Sequence, residues 1–195
     1  MEKRERNLWK ILFFTLSGIV LAVLATIIVL IGIPSEVPLP ENKASEEQQP
    51  VLEITSNKES LNTIIEEAIQ KKRTENSLDF SMVLTDSVEF YTILPVFNRQ
   101  IQLKMTFEPV PLVNGDIILK QETMQLGQMR LPVSYVLNFI SKQANFPDWM
   151  IIDSENEQIY IALSEVKLQD NLILKANRVD LAEDDISFKV VFHSE

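Results

Sequence analysis

One histidine occurs in 195 residues, and it is His193, two residues short of the C-terminus. A serine–histidine mechanism would depend on it, yet chain ends fray and no G-x-S-x-G elbow accompanies it. It reads as a solvated terminal residue. There is no cysteine, which excludes disulfides, thiolate zinc sites, a cysteine nucleophile and lipid acylation of a cysteine. Four glycines, with no Walker loop, G-x-G-x-x-G or H-E-x-x-H, leave no phosphate cradle and no metalloprotease site.

Carboxylates gather twice, at Asp153-Ser154-Glu155-Asn156-Glu157 and at Asp180 with Glu183-Asp184-Asp185. The first is superficially a calcium loop but lacks the central glycine and the closing glutamate. Both fall where hairpin turns are expected, so solvated turn acids are the better reading. No metal and no cofactor are expected, and no catalytic residue is assigned. The expectation is therefore a protein that is not an enzyme.

The remaining candidates are aromatic. Tyr135 and Phe139 stand four apart beside an apolar helical stripe, and Trp149 follows just beyond Pro147. Rings with one polar tip suit the mouth of an amphipathic site, where a chain is buried and a headgroup stays wet. The blander account is that all three complete the core. Tyr135, Phe139 and Trp149 are accordingly the expected ligand-binding residues.

Two helices and about seven strands would have to position them. Ser56-Asn57-Lys58-Glu59 fits a capping box with Ser56 as N-cap. Leu61, Ile64, Ile65, Ala68 and Ile69 make one helical stripe behind it, closed by Lys71, Lys72 and Arg73 against the helix dipole. A period of two then takes over, with strands near 78–85, 88–96, 101–108 and 116–127, and turns at Asn98-Arg99 and Asn114-Gly115. In the fourth strand Ile117 and Leu119 share one parity while Met124 and Leu126 share the other, which predicts a bulge or a strong bend. Pro132 opens the second helix at its first position, with Val133, Val136, Leu137, Ile140 and Ala144 as its stripe. Three alternating runs follow, around 159–163, 172–176 and 186–192. Adjacent hairpins favour an antiparallel sheet, so the class is α+β.

Several strands carry apolar residues on both parities, such as Phe90 with Tyr91 and Val190 with Val191. Either the sheet is covered on both faces, or it curves with a helix around an apolar groove.

Ahead of this domain, Ile11 to Ile33 is a run of 23 residues without a charge. As a helix it would measure about 35 Å, enough to cross a hydrocarbon core of about 30 Å with some tilt. Lys3, Arg4, Arg6 and Lys10 precede the run, while Glu36, Glu41, Glu46 and Glu47 follow it. That bias predicts a cytoplasmic arm at 1–10, a transmembrane helix at 11–33 and an extracytoplasmic domain at 51–195. A cleaved signal peptide is the competing reading, but the run is longer than the usual apolar stretch of one and ends without an A-x-A pattern, which favours an uncleaved anchor. Residues 34–50 hold four of the nine prolines and read as an extended linker. With the arm set aside, 14 Lys+Arg face 26 Asp+Glu, a net charge of −12 for the exported part. This excludes a nucleic-acid partner held by phosphate contacts.

From about 51 to 193 the sequence resembles the YpmS family, single-pass membrane proteins of low-GC Gram-positive bacteria with an extracytoplasmic domain of unassigned function. The resemblance is carried by Asp86-Ser-Val-Glu-Phe-Tyr-Thr-Ile-Leu-Pro-Val-Phe97, Met105-Thr-Phe-Glu-Pro109, Asn114-Gly-Asp116, Leu131-Pro-Val-Ser-Tyr135, Phe146-Pro-Asp-Trp149 and Asp185-Ile-Ser-Phe188. It brings no catalytic residue with it. The order of long strands, Leu-Pro helix and strand is also similar to tubular lipid-binding domains, an analogy at the level of fold. Together these readings lead to a membrane-anchored binding module for a lipid or lipid-linked envelope intermediate. The alternative is a protein-interaction accessory of an envelope enzyme.

Overall fold

The computed structural model describes residues 2–32, 52–75, 77–96, 99–128, 130–169 and 172–192. The linker 34–50, the turn residue Asn98 and His193 lie outside the described residues. The chain divides into two compact units, Met1–Pro34 and Ser35–Glu195.

The first unit is one helix, α1 (Glu2–Gly32). Thr15 and Thr26 donate their hydroxyls back to the carbonyls of Ile11 and Ala22, which satisfies both without interrupting the helix. Among the described residues no helix is long and apolar enough to cross a membrane. The described side chains of α1, 10–26, take in only part of the 11–33 run.

The second unit begins with β1 (Leu52–Ser56), followed by α2 (Lys58–Lys72). Ser56 ends a strand, so it does not cap the helix. Asn57 does, its side chain accepting from the Ser60 amide at 2.8 Å. Asparagine and serine cap equally well, and the strand pairing of Ser56 with Ile186 decides between them. Along α2, Ile69 is buried while Leu61, Ile65 and Ala68 are half-buried. Ile64, expected in the stripe, faces solvent. Asn62 lies on the inner side, where its amide donates to the Leu84 carbonyl and accepts from the Leu84 amide. It thereby closes the end of an edge strand that would otherwise be open.

Seven further strands and a helix follow: β2 (Phe80–Leu84), β3 (Val88–Val96), β4 (Arg99–Pro111), β5 (Ile117–Leu126), α3 (Val133–Gln143), β6 (Met150–Asp153), β7 (Gln158–Ile161) and β8 (Lys167–Gln169). The chain ends with β9 (Leu172–Asp180) and β10 (Asp185–Phe192). All pairings are antiparallel, in two sets: β1-β10-β9-β8 and β2-β3-β4-β5-β7-β6. The α+β class with curled antiparallel β-structure stands, but among the described residues ten strands in two sheets replace about seven in one. The three extra strands are short. β6 reads Met-Ile-Ile-Asp without alternation, and β1 and β8 have five and three residues.

The parity change in β5 is a bulge. Thr106 pairs with Thr123 but Phe107 pairs with Gln121, leaving Glu122 as the extra residue. Thr92, which interrupts an apolar run, is buried and donates to the Asp79 carbonyl at 2.6 Å. Pro132 occupies the N-cap of α3 rather than its first helical position, because its ψ of 140° is extended.

Both sheets contribute to one core, from Phe80, Phe90, Met105 and Phe107 in one to Ile186 and Phe188 in the other. A backbone bond joins them as well. β8 pairs with only the first two residues of β9, and further along that edge the Ala176 amide donates to the Gly115 carbonyl at 2.6 Å. Gly115 has φ +93°, and a Cβ there would lie 2.5 Å from the Cβ of Lys175. Only glycine allows this approach.

Candidate functional site

The α3 stripe is inward as expected. Val136, Leu137 and Ile140 are buried, Ala144 closes the same side, and Val133 packs against the core from its edge. Tyr135 and Phe139 lie on the opposite side of the helix. They are 48% and 40% exposed, and Leu131, just before the helix, is 43% exposed. Lys142, seven residues from Tyr135, falls about 20° from it around the axis, so one face presents two rings and an ammonium to solvent.

Trp149 sits apart from this face. It lies in the turn closed by the Met150 amide on the Pro147 carbonyl, and its own carbonyl accepts from the Ala162 amide at 2.7 Å. Its indole is half-buried and packs against the core. Among the described residues no ring contact joins Tyr135, Phe139 and Trp149.

A cleft of about 840 Å³ opens where α2 and α3 both end. Its rim carries Lys71 and Lys72 from α2, Arg73 directly after it and Lys142 from α3, against Asp148 as the one acid of the lining. Ala144, Phe146, Met150 and Ile152 supply apolar surface between them. Lys72 is paired with Asp148 at 2.9 Å, and Arg73 with Asp79. Among the described residues Lys71 and Lys142 form no ion pair.

A second cleft, about 760 Å³, lies between the outer side of α2 and β2 to β5. Its lining is mixed: Glu66 and Asp79 offset Arg73 and Lys104, with Gln70 and Gln102 between. The Tyr91 hydroxyl, and next the Lys104 ammonium, hold Glu89 below the usual carboxylate range. Lys104 lies 5.2 Å from the centroid of the Tyr91 ring. This set is already mutually satisfied.

Among the described residues the most buried polar group is Asp116, only 1% exposed. It accepts from the Tyr160 hydroxyl at 2.5 Å, from Asn114 at 2.9 Å and from the Ser164 amide at 3.0 Å. Burial pushes the Tyr160 phenol up to about 12, and the bond to Asp116 adds to the shift. Sequence reasoning marked Asn114-Gly115 as a turn but missed this cluster. The signal was an aspartate directly before an apolar strand, and its partners are 44 and 48 residues away.

The acidic turns also close on themselves. Asp153 accepts from the amide and side chain of Asn156 and from Gln158. Asp180 accepts from the Glu183 amide, Asp184 from the Lys58 amide, and Asp185 is paired with Arg178. Among the described residues no three metal-ligating side chains converge.

Residues 7–192 match the family described as "Uncharacterized protein conserved in bacteria (DUF2140)". The chain belongs to this family. It is 30% identical over 182 residues to the protein named "Uncharacterized protein YpmS" of Bacillus subtilis (strain 168), covering 93% of this chain and 96% of that one. No solved structure matches it. Of the stretches that carry the resemblance in the sequence, Asp86 to Val96 runs through β3, Asn114–Asp116 is the loop that buries Asp116, and Leu131–Tyr135 launches α3. Phe146–Trp149 forms the turn beyond it, where Phe146 packs on Phe80 with ring centroids 4.7 Å apart.

Proposed function

We propose that this DUF2140 protein is a non-enzymatic, membrane-anchored binding module. Residues 1–10 stay in the cytoplasm, 11–33 span the bilayer, 34–50 act as a tether, and 51–195 stand outside and take up a lipid or lipid-linked envelope intermediate. The single observation that carries the ligand reading is the solvent-facing pair Tyr135 and Phe139 on α3, flanked by Leu131. An apolar patch on a rigid helix, with a phenol and an ammonium beside it, fits the boundary between chain and headgroup. The uncharged run and the cationic arm before it support the anchor and its orientation. A tether of 17 residues would leave the domain within reach of the bilayer. A binding role also fits the fate of Asp116, whose oxygens are taken up by Tyr160, Asn114 and Ser164.

A fluorescent phospholipid titrated into the full-length chain tests the ligand reading. Wild type should bind it saturably, and Tyr135→Ala with Phe139→Ala should weaken uptake about tenfold without lowering the melting temperature. Unchanged uptake in that double variant would sink the assignment of these residues. For the topology, protease added to intact protoplasts should cleave near residue 34. Full protection of 51–195 would reverse the orientation.

The alternative, docking on an envelope enzyme, is favoured by one feature. β1 is an edge strand of its sheet, and Leu52 and Ile54 are exposed on it. Loss of association with membrane proteins in a Leu52→Lys, Ile54→Lys variant that still takes up lipid would support this second role.

A further inference from the structure

We propose that the cleft at the ends of α2 and α3 is the headgroup site for an amphiphile whose phosphate headgroup carries a net negative charge, an inference that rests on the amphiphile reading above and adds its charge. The domain is acidic overall, yet four cations at the ends of two helices converge here against one acid, Asp148. Cations in a last helical turn are expected from the dipole alone. That accounts for each helix separately, not for Lys71 and Lys142 facing one cavity from different elements. Asp148 is engaged by Lys72, and Asp79 lies on Arg73, so Lys71 and Lys142 are the ammonium groups available to an incoming anion.

The interior explains why that anion should carry a hydrocarbon chain. Met150 and Ile152 are buried, Phe146 is half-buried, and all three line the same cavity as the lysines. Its volume of about 840 Å³ lies within the range of small-molecule sites, about 300–1,000 Å³. A free phosphate would use the rim and leave this surface wet. Lys142 belongs both to the cleft and to the Tyr135–Phe139 face, so an amphiphile with its phosphate at the cleft rim could bury the start of its chain against Phe146, Met150 and Ile152 and lay the remainder along the rings.

The test is calorimetric titration of the full-length chain in a neutral detergent with three probes: short-chain phosphatidylglycerol, phosphatidylcholine of the same chains, and inorganic phosphate. Phosphatidylglycerol should bind saturably and at least tenfold more tightly than either of the others. Lys71→Gln with Lys142→Gln, both at exposed positions, should weaken it at least tenfold, while Lys120→Gln on β5 should leave it unchanged. Equal binding of the two lipids, or no effect of the lysine pair, overturns the headgroup site and leaves the aromatic face standing. Inorganic phosphate binding as tightly as phosphatidylglycerol overturns the amphiphile in favour of a plain anion site. If the lysine pair abolishes binding and Tyr135→Ala with Phe139→Ala does not, the cleft stands and the aromatic assignment falls.

Discussion

The Tyr160 hydroxyl donates to Oδ2 of Asp116 across 2.5 Å, joining β7 to the β4–β5 loop through two buried side chains. Removing the hydroxyl by Tyr160→Phe leaves the acceptor one donor short and should cost about 1.5–3 kcal/mol in urea unfolding. Asp116→Ala strands the Tyr160, Asn114 and Ser164 donors together and should cost at least about 3 kcal/mol. Near-neutral effects at both positions would mean that water replaces the bonds.

The same phenol sets an alkaline limit. Its folded-state value of about 12 lies above the ordinary tyrosine value of about 10, so the folded protein holds this proton more tightly than the unfolded one. Its contribution is complete below about pH 10 and is lost as pH rises toward 12. The urea midpoint of wild type should therefore fall more steeply over that window than that of Tyr160→Phe. Parallel pH profiles would contradict the shift.

Gly115→Ala meets two obstacles at once, a φ of +93° and a Cβ placed 2.5 Å from that of Lys175. It should cost at least about 2 kcal/mol, well beyond Gly127→Ala, whose added Cβ would lie 3.1 Å from the Ile101 methyl Cγ2. Comparison of the two midpoints checks the order.

The helix α3 separates core from surface. Leu137→Ala and Ile140→Ala should each cost about 2–5 kcal/mol, since both are fully buried. Tyr135→Ala and Phe139→Ala should each cost less than about 1 kcal/mol. Trp149→Ala falls between, at about 2 kcal/mol, because its indole is half-buried. Large losses at Tyr135 and Phe139 would return them to the core.

Local pattern carried most of this architecture. Alternation located β3, β4, β5, β9 and β10, and one change of parity signalled a bulge or strong bend in β5, which the pairing places at Glu122. Periodicity placed Val136, Leu137 and Ile140 inward, because a helical stripe depends only on near neighbours. What escaped is set at long range. Whether Ser56 caps α2 depends on a strand partner 130 residues away, Ile186. The second sheet likewise depends on β1 and β8, each too short to show a period. The cationic cleft needed the ends of two helices brought side by side, and Asp116 needed Tyr160 from another strand. Ile64 fits the α2 stripe by spacing, yet only the sheet beneath decides how wide that stripe can be.

The central claim is that the α3 face holds an amphiphile, and native mass spectrometry of the full-length chain released from detergent tests it most directly. Wild type should retain an added mass of lipid size in a one-to-one ratio, and Tyr135→Ala with Phe139→Ala should lose most of it while unfolding at the same urea concentration. A wild-type chain that carries no added mass, or a double variant that carries as much as wild type, would contradict the account.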